Sequence, residues 1–293
     1  MAGLKEIRTR IASVKSTRQI TSAMKMVAAA KLRKAQDKII QLRPYVSKLE
    51  ELLTSLTNQL GEEDQNKYMH EREINRVLIV VITSNRGLCG AFNANVVKQT
   101  ISLVHGIYNN LYRSGDLDIM TIGKKGTEFL RTKGFPAVHT NIEIFDDLTF
   151  QNIVPIADNM IQQYLEGEYD KIEFVYNHFK NAAVQLLTQE QFLPVRFEKN
   201  EDTSQQPADY IYEPDHPSLI ESLIPRSLRI QLFKAILDSF VAEQGARMTA
   251  MHLATDNATE LLKELTLHYN KARQATITKE ILEIVGGAEA MQE

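Results

Sequence analysis

Residues 244–276 read QGARMTAMHLATDNATELLKELTLHYNKARQAT, a run without proline in which one set of positions recurs in alternating steps of four and three. These positions are Gln244, Met248, Met251, Thr255, Ala258, Leu262, Leu265, Tyr269, Ala272 and Thr276. Such alternation is typical of a coiled coil, and the small members allow another helix or a tight sleeve to come close. The run lies inside a longer helix predicted over 218–293, with a kink or restart expected at Pro225.

The N-terminal end carries a second stripe with the same alternation. Its members are Leu4, Ile7, Ile11, Val14, Arg18, Thr21, Lys25, Ala28, Leu32, Ala35, Ile39, Leu42, Val46, Leu49, Leu53, Leu56 and Leu60. Two long helices with one stripe each most simply bury those stripes on each other, as an antiparallel pair, because a compact region separates them. Dimerisation between two chains is the alternative.

Three stripe members, Arg18, Thr21 and Lys25, are not apolar. Burial of charge there would cost several kcal/mol. We therefore expect the stripe to shift locally onto other residues and the basic side chains to point outwards. The expected replacements are Ile20, Met24 and Val27, and the expected outward residues are Arg18, Lys25, Lys31 and Arg33.

The middle of the chain alternates strands and helices. Continuous or β-branched apolar runs predict strands at 77–82, 119–122, 171–176 and 184–193, with helical patterns at 96–112, around 129–130 and at 153–164. The predicted fold class is α/β with a long helical extension. It comprises an antiparallel coiled coil of the terminal helices and an inserted Rossmann-like, mostly parallel α/β domain. The predicted domains are a helix over 1–60, the α/β domain over 61–217 and a helix over 218–293.

Two glycine-containing turns could suggest phosphate binding, but both depart from known fingerprints. The turn at 85–90 has only G-x-x-G spacing, and residues 123–127 lack the leading glycine and the Lys-Ser/Thr pair of a P-loop. Cys89 is predicted to be a packed small hydrophobe, and the seven histidines are dispersed. No cluster has metal-ligand spacing. We therefore expect no catalytic site, cofactor or metal, and no ATPase activity from the isolated chain.

Charge and apolar runs limit the other function classes. Residues 1–43 hold eleven Lys and Arg side chains against Glu6 and Asp37, although the whole chain has a net charge of −3. The N-terminus has no signal-peptide core, and the run at 77–82 is too short to span a bilayer, so any membrane role is expected to be peripheral. A single cysteine excludes an internal disulfide.

Several stretches resemble the γ subunits of F-type, bacterial-like ATP synthases, in the same order and spacing over the whole chain. They are AGLKEIR at 2–8, ITSAMKMVAAAK at 20–31, RGLCG at 86–90, ARM at 246–248, ATDNA at 254–258, YNKARQA at 269–275 and IT at 277–278. Asn85 stands where the family usually has Asp, and Ser22 where many members have Lys.

The resemblance implies a non-catalytic central rotor subunit, present once per complex, that couples ion flow through the membrane c-ring to ATP synthesis or hydrolysis on the β subunits. The implied partners are the α and β subunits, the ε subunit and the c-ring, with no nucleic acid. The implied location is the cytoplasmic face of the bacterial inner membrane, with peripheral attachment.

Three sets of contact residues are implied by the same resemblance. Arg273, Gln274 and Thr278 would form a catch that hydrogen-bonds the β subunits. Met24, Lys25 and Arg18 would form the torque contact against an acidic helix-turn-helix of β. Tyr210, Tyr212 and Glu213 would form the foot that faces ε and the c-ring.

Two other classes remain as alternatives. A basic helix in a coiled coil could belong to a nucleic-acid-binding or scaffold protein, although residues 1–43 lack aromatic side chains that would stack on bases. An α/β hydrolase-like enzyme is the other alternative. Retention on a polyanion resin would favour the first, and stabilisation by nucleotides the second.

Overall fold

A computed structural model describes residues 2–58, 67–196 and 216–289. In chain order the described elements are α1 (Ala2–Asn58), β1 (Val77–Ile82), α2 (Phe92–His105), α3 (Asn109–Ser114), β2 (Leu117–Ile122), α4 (Lys124–Thr132), β3 (His139–Asn141), a 3-10 turn (Glu143–Phe145), α5 (Phe150–Leu165), β4 (Lys171–Phe179), β5 (Gln185–Leu193) and α6 (His216–Glu289). The chain divides into two units: residues 1–29 with 247–293, and residues 30–246. We call them the two-helix unit and the α/β unit. The domains predicted from the sequence, 1–60, 61–217 and 218–293, follow instead the order of the elements along the chain, and these boundaries stay a prediction.

Both long helices form as predicted, although each contains a proline. Pro44 lies within α1 and Pro225 within α6. Of the kink or restart predicted at Pro225, the restart is wrong, because α6 continues through it, and the kink stays a prediction. Ile224 and Leu228 on either side are buried in the core of the α/β unit, so packing outweighs the one hydrogen bond that the proline removes.

The α/β unit contains a five-stranded sheet in the order β3-β2-β1-β4-β5. β1 pairs in parallel with β2 and β4, β2 pairs in parallel with β3, and β5 is antiparallel to β4. The mostly parallel Rossmann-like prediction is therefore confirmed. The short edge strand β3 was not predicted, because its sequence, HTN, carries no apolar pattern. The helix predicted over 96–112 is divided into α2 and α3 at Gly106.

Both faces of the sheet are covered, as the apolar run of β1 predicted. Leu78, Val80 and Ile82 belong to a core with α5 and the parts of α1 and α6 within this unit. The alternate residues Val77, Ile79 and Val81 belong to a second core with α2 and α4. All six residues of β1 are buried, which is typical of a central strand between two helical layers.

Candidate functional site

The two-helix unit is built on the predicted stripes in their original register. Thr21 and Ala28 are buried on α1, and Met251, Ala258 and Leu265 on α6. The remaining stripe members of this unit are half-buried, from Leu4 to Lys25 and from Met248 to Thr276. Thr21 contacts Thr255 and Lys25 contacts His252. Because the partner number falls as the α1 number rises, the two helices are antiparallel.

The predicted shift of the stripe is wrong. Ile20 and Val27 are each 57% exposed, whereas Thr21 is 8% exposed. Arg18 and Lys25 stay in the stripe and are half-buried. Their long aliphatic stems can lie along a neighbouring helix while the charged ends remain in water, so the assumed cost of burying charge does not arise.

The predicted torque contact lies on α1 beside that polar part of the stripe. Met24 and Lys25 are half-buried, and Lys25 Nζ lies 3.4 Å from His252 Nδ1. His252 Nδ1 also lies 3.4 Å from Asp256 Oδ2, one turn further along α6. Apolar side chains are exposed around Met24, namely Ile20, Met26 and Val27. This surface therefore combines apolar groups and cations, and its exposed apolar residues other than Met24 were not among the predicted contact residues.

The predicted catch lies near the end of α6, where the stripe stops at Thr276. Arg273, Gln274 and Thr278 are all exposed. Thr278 Oγ1 donates to the carbonyl of Gln274 at 2.9 Å. Within the described residues, the Arg273 guanidinium and the Gln274 side-chain amide form no hydrogen bond. From Ile277 to Val285 every residue is exposed, and five of them are large apolar side chains: Ile277, Ile281, Leu282, Ile284 and Val285.

The predicted foot residues Tyr210, Tyr212 and Glu213 lie outside the described residues. The structure therefore brings together the torque residues and, separately along α6, the catch residues.

The amides that begin α4 are already used within the chain. The backbone N–H groups of residues 124, 125 and 126 donate to Asn85 Oδ1, the Ser84 carbonyl and Thr83 Oγ1, at 3.0, 3.0 and 2.8 Å. A phosphate at a helix N-terminus needs such amides as donors. The stretch 123–127 is therefore a packed turn, as its incomplete motif indicated.

Glycine is required at two positions in this turn because α4 approaches Thr83 closely. A Cβ atom at Gly123, where φ is +109°, would lie 2.2 Å from the Thr83 carbonyl oxygen. A Cβ atom at Gly126 would lie 2.6 Å from Thr83 Oγ1. These glycines thus serve helix packing at the end of β1.

Asn85 uses both ends of its side-chain amide. Its Oδ1 accepts from Lys124 N, and its Nδ2 donates to the Ile142 carbonyl at 2.8 Å. An aspartate could accept the first bond but, when ionised, could not donate the second. Asn85 therefore has a local structural role that an ionised aspartate could not fill.

Cys89 is buried in the neighbouring turn with Phe92 and Ala242, which confirms its prediction as a packed residue. Asn93 Nδ2 donates to Cys89 Sγ at 3.2 Å, and Asn93 Oδ1 accepts from Ser84 N at 2.9 Å. Residues 84–93 thus form one hydrogen-bonded turn.

A half-buried contact between a histidine and an aspartate, with no sequence signal, lies in the α/β unit. His178 Nδ1 is 2.9 Å from Asp238 Oδ2, on the wall of a cavity of about 540 Å³. Burial raises the pKa of the Asp238 carboxyl, against the opposing influence of His178, Lys234 and Arg43. His178 and Asp238 are distant in sequence, so neither periodicity nor spacing could have found the pair.

No described group of His, Cys, Asp and Glu side chains is arranged to hold a metal ion. Among the helices of the described residues, none combines the length and the apolar character needed to cross a bilayer.

Comparison with known proteins gives one consistent result. A family model described as ATP synthase matches residues 3–291. The ATP synthase gamma chain of Flavobacterium johnsoniae is 56% identical over 291 residues, covering 99% of each chain. That of Chlorobaculum tepidum is 45% identical over 293 residues, covering both chains completely. In the rotor of the Euglena gracilis mitochondrial ATP synthase, one chain matches with a TM-score of 0.67 at 23% identity, covering 94% of this chain and 99% of that one.

A pair of long antiparallel helices and a mostly parallel α/β unit are thus the fold of this rotor chain as well, so the fold defines the class of rotary ATP synthase rotor chains. The match at the level of sequence is more specific. The chain belongs to the ATP synthase family, as one of its gamma chains.

Proposed function

We propose that this gamma chain is the rotor that couples ion flow through a membrane c-ring to ATP synthesis or hydrolysis on three β subunits. One observation of the structure carries the proposal. Each long helix of the two-helix unit uses a single narrow stripe for pairing and leaves its other faces exposed. A shaft that turns inside a sleeve needs such a division, because the faces that hold it together must differ from those that meet its neighbours.

The proposed partners are the α and β subunits, the ε subunit and the c-ring, with one copy of this chain in each complex. The relatives at 45–56% identity are gamma chains of bacteria. We accordingly place the chain at the cytoplasmic face of the bacterial inner membrane, attached peripherally as part of the ATP synthase. The segments 1–60 and 218–293 form the shaft in this proposal, and 61–217 forms the foot, with Tyr210, Tyr212 and Glu213 facing ε and the c-ring.

The torque contact combines weak long-range attraction with a small apolar surface. Arg18 and Lys25 supply positive charge, and Met24 lies between them in sequence near exposed Ile20 and Val27. Exposed ion pairs contribute only about 0–1 kcal/mol each, so an acidic helix-turn-helix on each β subunit can attract this surface without holding it in one position. A rotor that passes three equivalent sites requires this property.

The catch requires polar groups that can bind another chain. Arg273 and Gln274 are exposed and form no side-chain hydrogen bond within the described part of the chain. Thr278 shares a helical face with Gln274, while Arg273 is turned by about 100°. The three side chains can therefore contact more than one neighbouring subunit, which suits a catch that responds to the nucleotide state of β.

Co-expression with the α and β subunits tests the proposed assembly. We expect the chain to co-purify at one copy for three α and three β subunits, and nucleotide hydrolysis to require β. Recovery of the chain free of α and β, with hydrolysis unaffected by its omission, would contradict the rotor function. A chain truncated after residue 246, which lacks the α6 part of the two-helix unit, provides the matched control for assembly.

A further inference from the structure

Two threonines meet across the two-helix unit where both stripes carry polar residues. Thr21 Oγ1 lies 2.8 Å from Thr255 Oγ1, and Thr21 is buried. Thr255 donates to the carbonyl of Met251 at 2.7 Å, and Thr21 Oγ1 lies 3.1 Å from the carbonyl of Arg18. Each hydroxyl has one proton, so one threonine donates across the interface and the other donates within its own helix.

The stripe positions one heptad away are apolar in both directions. One heptad from Thr21, α1 carries Val14 and Ala28. One heptad from Thr255, α6 carries Met248 and Leu262. A heptad stripe faces its partner again after every seven residues, so the apolar contacts within the two-helix unit do not by themselves select one register.

A slip by one heptad would separate the two hydroxyls. Thr21 would then face Met248 or Leu262, and Thr255 would face Val14 or Ala28. Each threonine would lose the bond across the interface and would present its oxygen to an apolar side chain, which is unfavourable for a buried polar group. The adjacent contact between Lys25 and His252, at 3.4 Å, would be lost as well.

We propose that Thr21 and Thr255 are positioning residues that fix the axial register of the antiparallel coiled coil. A polar pair within an apolar stripe is known to select register in coiled coils at some cost in stability. The benefit to a shaft under torque rests on the proposed rotor function. The register itself is a property of the chain alone, so it can be measured independently of rotation.

Disulfide formation between introduced cysteines measures the register. In the full chain with Cys89→Ser, the pair Val14→Cys and Leu262→Cys reports the native register. The pairs Ile7→Cys with Leu262→Cys, and Val14→Cys with Tyr269→Cys, report a slip by one heptad in either direction. Each pair is placed in the parent, in the double variant Thr21→Val with Thr255→Val, and in the control Thr21→Ser with Thr255→Ser.

We expect the valine variant to increase the yield of slipped disulfides about tenfold, because valine removes the penalty on slipped registers. Its thermal midpoint should equal or exceed that of the parent, since valine is the more apolar residue. The serine control keeps both hydroxyls and should retain the native pattern.

Two results would overturn the proposal. One is a valine variant with the same low yield of slipped disulfides as the parent. The other is a valine variant that loses its helical circular dichroism, because a residue that only selects register is dispensable for helix formation. If the valine variant abolished rotation of the assembled complex while its disulfide pattern matched that of the parent, the register role would be wrong and the rotor function would stand.

Discussion

The α/β unit and the two-helix unit differ in how completely their own contacts define them. In the α/β unit both faces of the central strand β1 are buried, and the turns at its end satisfy their backbone amides with specific side chains. In the two-helix unit one stripe is buried and the outer faces are exposed. Packing on both sides of the sheet therefore defines the α/β unit, whereas only the contacts along one stripe of each helix define the two-helix unit.

This difference separates structural residues from functional ones. A substitution of a buried residue in the α/β unit should change stability, since among its described residues the buried side-chain N and O atoms have hydrogen-bond partners, except Arg76 Nε. A substitution on the outer faces of the two-helix unit should leave stability unchanged and alter contacts with other subunits. The following predictions test this separation.

The largest effect is expected for Gly123→Ala in the α/β unit. A methyl group there would lie 2.2 Å from the Thr83 carbonyl oxygen, at a φ of +109°. We expect a loss of about 4 kcal/mol in the free energy of unfolding, or failure to fold, because both α4 and the end of β1 must move. Urea denaturation of the full chain measures this loss.

Gly115→Ala is the matched control. Gly115 has a φ of +86° but no atom within 4 Å of the added methyl group, so only backbone strain of about 1–2 kcal/mol is expected. Equal losses for the two variants would show that the close approach to Thr83 is unimportant.

The catch should show the opposite behaviour. We expect Arg273→Ala with Gln274→Ala to slow steady-state hydrolysis by the assembled complex about tenfold, since hydrogen bonds to charged groups contribute about 1.5–3 kcal/mol. Assembly and the unfolding transition of the isolated chain should not change. Lys271→Ala, an exposed position two residues earlier on α6, serves as the control. Full activity of the double variant would remove these residues from the catch.

The sequence correctly predicted the elements that depend on a regular spacing of apolar residues. Both stripes lie in the predicted register, and the apolar run of β1 is a central strand. It did not predict β3, whose three polar residues pair at a sheet edge and carry no apolar pattern. It also placed Ile20 and Val27 in the interface, because a charged residue in a stripe was treated as fully buried. Side-chain length, not residue class, determines that outcome.

Side-chain pairs whose members are far apart in the sequence could not be predicted from it either. His178 and Asp238 come together from β4 and α6, and Thr21 and Thr255 from opposite ends of the chain. Neither pair has a local spacing that marks it. The catch and foot residues were inferred from family resemblance, since an exposed helical residue has no pattern of its own.

A smaller effect in the α/β unit concerns pH. Burial raises the pKa of Asp238 above its ordinary value of 3.8, so the folded chain holds this proton more tightly than the unfolded chain does. The resulting stabilisation is complete below 3.8 and is lost as the pH rises through the higher pKa of the folded state. Asp238→Asn lacks this dependence. Urea titrations between about pH 4 and pH 7 should therefore show the parent losing stability relative to this variant as pH rises. Parallel pH profiles would contradict the raised pKa.

The smallest effect is expected at the torque contact. Lys25→Glu should repel an acidic stator and slow rotation of the assembled complex a few-fold at low salt, because exposed pairs contribute about 0–1 kcal/mol each. Lys25→Gln removes the positive charge without adding a negative one, so it measures the loss of attraction separately from repulsion. Lys15→Glu, at an exposed position of the same helix, controls for net charge.

Salt distinguishes the charged part of this contact from the apolar part. Exposed charges are screened beyond about 8–10 Å near physiological ionic strength, so raising the salt concentration should bring Lys25→Glu back towards the parent. Ile20→Ser with Val27→Ser alters exposed apolar side chains without changing charge, so any defect in rotation should persist at high salt.

Lys25→Glu also places a carboxylate near Asp256, through the contact with His252. A defect caused by that contact inside the shaft would lower the thermal midpoint of the isolated chain, whereas a defect at the stator would not. If Lys25→Glu and the double variant Ile20→Ser with Val27→Ser both rotated like the parent at low salt, this face of α1 would contact only solvent and not the β subunits.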